Sequence, residues 1–164
     1  MSGDARPVAT ASQTIGPFFH FGLPPKAMTT APGLVGEPIR LVVRVTDGDG
    51  RPVSDALVEL AHAGTFGRMP TGEDGSCEFD TVRPGSGTDG DPGRHLSVCL
   101  FARGLLRHLH TRIYFAVDPG DEVLALVPEE RRGTLLAEPD REVAGRWVFP
   151  LRLQGPQETV FFNV

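Results

Sequence analysis

Along the chain, apolar and polar residues alternate in short runs, and turn residues close each run. Ile39-Arg40-Leu41-Val42-Val43-Arg44-Val45 has the two-residue period of a half-buried strand, and Asp47-Gly48-Asp49-Gly50 ends it. The same reading predicts strands at Ala56–Leu60, Cys77–Val82, Leu96–Ala102 and Thr111–Ala116, then at Arg146–Leu153 and Glu158–Asn163. Residues 65–75 lie between two of these runs and read as loop. A short helix is expected from Asp121 to about Leu126, with Asp118 as its cap and Pro128 as its stop.

About seven short strands without a long crossover helix predict an all-β fold, a single β-sandwich of mostly antiparallel strands. Residues 1–35 keep no period and contain Pro7, Pro17, Pro24, Pro25 and Pro32, so they read as an extended arm. The sandwich is expected over residues 36–164. Phe18, Phe19 and Phe21 give the arm more apolar surface than a free tail has reason to keep, which points to packing on a partner chain.

Composition agrees with this outline. Gly (20) and Pro (15) together exceed a fifth of the 164 residues, a density that disfavours long helices. A net charge of -5 with scattered basic residues argues against nucleic-acid binding. No apolar run reaches the roughly 20 residues of a membrane span, and the first residues lack a signal-peptide core, so a cytoplasmic protein with no membrane partner is expected. Cys77 and Cys99 sit in strand-like segments without a Cys-rich metal pattern and read as small buried hydrophobes.

Candidate chemistry is sparse. His108 and His110 have the spacing at which two imidazoles share one face of a strand, a frequent source of two metal ligands. A third ligand, Asp or Glu, is not identifiable, and a solvated pair explains the same residues. Asp47-Gly48-Asp49-Gly50 and Asp89-Gly90-Asp91 are fragments of a calcium loop without its ligand ladder, and read as turns. Nucleotide-binding and hydrolase motifs are missing. A ferric site built on two tyrosinates is out of reach, since Tyr114 is the single tyrosine.

Five segments taken in order carry a resemblance: Gln13-Thr14-Ile15-Gly16-Pro17-Phe18-Phe19-His20, Leu57-Val58-Glu59-Leu60, Asp74-Gly75 with Phe79 and Arg83-Pro84-Gly85, Leu109-His110-Thr111-Arg112-Ile113-Tyr114-Phe115, and Glu158-Thr159-Val160-Phe161-Phe162. From about residue 10 onward the chain resembles the intradiol aromatic-ring dioxygenases, and among them the alpha chains that lack iron. The resemblance implies cleavage of 3,4-dihydroxybenzoate (protocatechuate) by O2 to 3-carboxy-cis,cis-muconate, within the beta-ketoadipate pathway. It also implies a non-haem Fe(III) held by a homologous iron-bearing beta subunit, in an alpha-beta hetero-oligomer.

The family's two tyrosine ligands correspond to Met69 and Gly87 here, and its two histidines to His95 and Ser97; a family tryptophan corresponds to Ala61. The resemblance therefore makes Met69, Gly87, His95 and Ser97 a vestigial site, with no metal and no catalytic residue on this chain. Arg112 is implied to meet the substrate's carboxylate, with Thr14, Gly16, Pro17 and Phe18 as nearby wall. Two alternatives stand beside this expectation: a non-enzymatic structural or binding sandwich, and a self-contained metalloenzyme using His108 and His110.

Overall fold

The computed structural model describes residues 11, 13–14, 16, 22–29, 36–85 and 94–163. Among the described residues, eight strands form two four-stranded sheets: β1 (Glu37–Thr46), β2 (Leu57–His62), β3 (Thr65–Pro70), β4 (Ser76–Arg83), β5 (His95–Phe101), β6 (Leu109–Tyr114), β7 (Glu138–Pro139) and β8 (Arg146–Arg152). The first sheet has the order β4-β1-β8-β7 and the second β3-β2-β5-β6. Each pairing is antiparallel except β1 with β8, which run parallel from Arg40↔Arg146 to Thr46↔Arg152.

Alternation along the strands makes the layers. Ile39, Leu41, Val43 and Val45 of β1 face inward with Cys77 and Phe79 of β4 and with Phe149 and Leu151 of β8. From the second sheet they meet Val58, Leu60, Leu96, Val98, Leu100 and Ile113, which are essentially removed from water. Each such side chain contributes roughly 1.5–3 kcal/mol by burial.

The fold is not purely β. Helix α1 (Glu122–Leu126), helix α2 (Glu129–Arg132) and a 3-10 turn (Gly133–Leu135) follow β6, so the all-β expectation overstates the case. The cap of α1 is Asp121, whose Oδ1 accepts from the backbone N–H groups of Val123 and Leu124 at 2.9 and 2.8 Å. Asp118, the expected cap, instead accepts from Gly120 N and pairs with Arg94. Leu124, Val127 and Leu135 pack with Tyr114 in a second, smaller core, joined by Val160 and Phe162.

Two further expectations change. Residues 65–70 form β3, because Ala63 (φ 45) and Gly64 (φ 80) make a two-residue reversal that returns the chain antiparallel to β2. Residues 158–163 do not form a ladder; the final segment meets β6 through a single bridge, His110↔Phe162. Residues 26–29 run beside β3, where Lys26 and Arg68 exchange backbone hydrogen bonds of 2.7 Å. No helix among the described residues is long and apolar enough to cross a membrane.

Candidate functional site

The face of the second sheet turned away from the core carries the chemistry. On β5 this face presents His95, Ser97 and Cys99, and on β6 it presents His110, Arg112 and Tyr114, because the alternate positions Leu96, Val98, Leu100 and Ile113 fill the core. Ladder register sets the rows: Glu59 stands opposite Cys99, Cys99 opposite His110, Ser97 opposite Arg112 and His95 opposite Tyr114.

One row gathers metal-ligand atoms. The turn between β5 and β6 brings His108 back over the pair below it, so that ligand atoms of Cys99, His108 and His110 all lie within 4.8 Å of one another. The two imidazoles meet edge to face with centroids 4.7 Å apart, and His108 also lies 5.5 Å from the Phe101 ring. Burial, reinforced by the Glu59 carboxylate, pushes the Cys99 thiol up to about 11. Burial and then the neighbouring His108 lower the pKa of His110, which favours its neutral, ligating form. A metal ion here would displace the thiol proton.

This cluster overturns three linked expectations: that the chain holds no metal ligands, that its iron cofactor resides only on a beta subunit, and that it is active only by completing that subunit's pocket. The physical reason is the antiparallel register, which supplies Cys99 as the third ligand that the spacing of His108 and His110 did not reveal. Of the alternatives, the metalloenzyme using His108 and His110 fits the geometry better.

A second row lies beside the first. His95 stacks obliquely on Tyr114 at 5.5 Å, and its buried Nδ1 lacks a hydrogen-bond partner, with Asp121 Oδ2 at 3.9 Å. Burial, followed by repulsion from Arg112, drives the His95 pKa down to about 4. Burial raises the pKa of the Tyr114 hydroxyl, which accepts a long 3.4 Å hydrogen bond from Arg112 Nη1. The Arg112 guanidinium also lies 3.8 Å from Asp121 Oδ1 and 5.8 Å from the centre of the Phe162 ring. His95 and Ser97 help line a cavity of about 310 Å³ with Ala61, His62 and Thr65.

The remaining positions of interest are dispersed. Met69 sits on the opposite face of its strand and packs on the core, away from His95 and Ser97. Thr14 Oγ1 accepts from Gly104 N at 3.1 Å and from Gly16 N at 3.4 Å, which fixes these two arm residues at the turn leading to His108. Pro17, Phe18, Phe19, Phe21 and Gly87 lie outside the described residues. A hard ferric ion prefers oxygen donors, and a thioether turned into the core beside one imidazole and one hydroxyl does not fit it.

The fold of two stacked four-stranded sheets matches the dioxygenase domain of a fusion with a carbohydrate-binding protein from Streptomyces sp. SirexAA-E, at a TM-score of 0.55 and 24% identity over 80% of this chain and 86% of that one. That likeness establishes the fold, and sequence similarity establishes the family: the chain belongs to the intradiol ring-cleavage dioxygenases. It is 40% identical over an alignment of 193 residues to the protocatechuate 3,4-dioxygenase alpha chain of Burkholderia cepacia, covering 94% of this chain and 97% of that one. With the alpha chain of the same name from Pseudomonas putida the identity is 36%, covering 94% of this chain and 96% of the relative. No protein-family model matches the chain.

Proposed function

We propose that this chain is an oxidoreductase subunit of aromatic catabolism that opens the ring of protocatechuate with O2, giving 3-carboxy-cis,cis-muconate, and that it brings a metal centre of its own. The activity follows from near-full-length similarity to two chains named for protocatechuate 3,4-dioxygenase. The observation that carries the site is the neighbourhood of His110 and Arg112. Both project from the same face of β6, so a guanidinium suited to a carboxylate lies beside a set of metal ligands.

Both relatives are named alpha chains, which supports a multi-subunit assembly with a homologous partner chain. In this reading residues 36–164 form the dioxygenase-like domain. Residues 1–35 form an arm whose Thr14, Gly16, Pro17 and Phe18 contribute wall to the substrate pocket and whose aromatic residues pack on the partner. A cytoplasmic setting suits the two free cysteines, Cys77 and Cys99.

The test is oxygen uptake by the purified, metal-loaded chain supplied with protocatechuate, with the ring-opened product identified by mass spectrometry. Consumption of one O2 per ring opened is the expected result. A folded, metal-loaded chain that consumes no oxygen would overturn the reading of a self-contained centre.

A further inference from the structure

We infer that Cys99, His108 and His110 bind one borderline divalent transition ion, with Zn2+ as the reference ion, through one thiolate and two imidazoles. This rests on the metal-centre reading above and goes further by naming the class of ion. The family resemblance implies a hard ferric ion; this donor set is of a different kind.

The set is assembled by backbone geometry. Cys99 and His110 are cross-strand neighbours in the β5–β6 ladder, and His108 approaches from the connecting turn. Bonds of about 2.0–2.3 Å to nitrogen and sulfur place tetrahedral ligands roughly 3.3–3.8 Å apart, so a set already within 4.8 Å closes by side-chain rotation alone. Three protein ligands leave a fourth position for water or an anionic molecule.

Ligand chemistry selects the ion. Thiolate sulfur discriminates against the hard ions Mg2+ and Ca2+, whereas imidazole suits the later first-row divalent ions. Glu59, next in the same row, is engaged by Arg68 Nη2 at 2.6 Å, and both side chains are largely buried. It supplies negative charge beside the site without being free to ligate. On binding, the Cys99 S–H proton passes to solvent and the sulfur lone pair forms the metal bond, with no change of oxidation state.

The test uses the full chain, reduced and freed of metal with a chelator. Zn2+ is titrated by calorimetry, Co2+ by absorption, and Mg2+ serves as a hard-ion control. Expected results are one equivalent of Zn2+, no Mg2+ binding at the same concentration, and a sulfur-to-cobalt charge-transfer band that C99S abolishes. Zn2+ should also slow alkylation of half-buried Cys99 at least tenfold, with the buried Cys77 as internal reference. H108A, in an exposed turn where folding is not at stake, should weaken Zn2+ binding by about 10–100-fold or more. A folded chain that takes up no stoichiometric Zn2+, a cobalt complex without the sulfur band, or an H108A protein that binds like the wild type would overturn the inference. Oxygen uptake on protocatechuate by a chain that binds no Zn2+ would sink this inference while leaving the family activity standing.

Discussion

The Arg112 guanidinium lies 3.8 Å from Asp121 Oδ1, the same oxygen that accepts both capping hydrogen bonds of α1. One carboxylate thus ties the cationic row of the second sheet to the start of the helical segment covering Tyr114. D121A should lower stability by about 1–2 kcal/mol through loss of the cap, whereas D121N should retain most of it. Urea unfolding of the two variants checks this. Equal losses would assign the effect to the charge instead of the cap.

Replacement of Arg112 separates two substrates. Protocatechuate carries a carboxylate that catechol lacks, and removing one member of a desolvated charge pair costs about 2–5 kcal/mol. R112A should therefore reduce kcat/KM on protocatechuate roughly 30-fold or more and leave any activity on catechol nearly unchanged. Steady-state kinetics on both substrates decides it, since equal losses would make Arg112 a scaffold residue.

His95 predicts a pH dependence of stability. Its folded pKa of about 4 lies below the ordinary 6.5, so the unfolded chain takes up a proton between these values while the folded chain does not. The contribution is present in full above pH 6.5, declines as pH falls towards 4, and is exhausted below that. A loss on the order of 1–3 kcal/mol is expected across this window. H95Q should flatten the dependence in denaturant titrations at pH 7.5, 6 and 5; an unchanged slope would acquit His95.

Gly75 marks a backbone crossing. It holds φ +73, and a Cβ at this position would meet the Val45 carbonyl oxygen at 2.6 Å. Gly75 N and Gly75 O are also both bonded, to Gly72 O and from Val45 N, so the turn has little room to shift. G75A should cost roughly 2–4 kcal/mol, combining strained φ with the close approach, and thermal melts will register it.

Most of the sandwich was legible in the alternation of β1, β2, β4, β5, β6 and β8, because a two-sided strand writes burial directly into every second residue. β3 was not, because its reversal uses Ala63 at positive φ instead of an Asn-Gly or Asp-Gly pair, and Gly67 and Pro70 within it look like strand breakers. Gly67 leaves room for the neighbouring segment: a Cβ there would meet Met28 Sδ at 2.5 Å and Met28 Cα at 3.3 Å, so Met28 would have to shift where residues 26–29 run beside the strand. The final segment looked like a strand because Val160, Phe161 and Phe162 are apolar, yet Val160 and Phe162 pack with the helical cover and Phe161 packs on the main core.

The site was half legible. His108 and His110 announced themselves by spacing, and the face shared by Arg112 and Tyr114 followed from their parity. Cys99 did not, since its partnership with His110 depends on the register across a turn whose geometry local residue types do not specify. A sequence comparison restricted to the family's ligand positions also directs attention to Met69, Gly87, His95 and Ser97, and so away from the neighbouring row.

The parallel pairing of β1 with β8 has a consequence for the order in which the molecule is made. Arg40 and Arg146 are ladder partners, so the centre of the first sheet joins segments from opposite ends of the described chain. During synthesis β1 can pair with β4 early, but its other edge stays open until β8 emerges from the ribosome. The second sheet, built from β2, β3, β5 and β6, has its strands complete sooner and reaches that point with its inner surface covered only by β1 and β4. Such non-local closure makes folding slow for the chain's size, and it leaves the nascent protein dependent on protection from neighbouring polypeptides until the last strand docks.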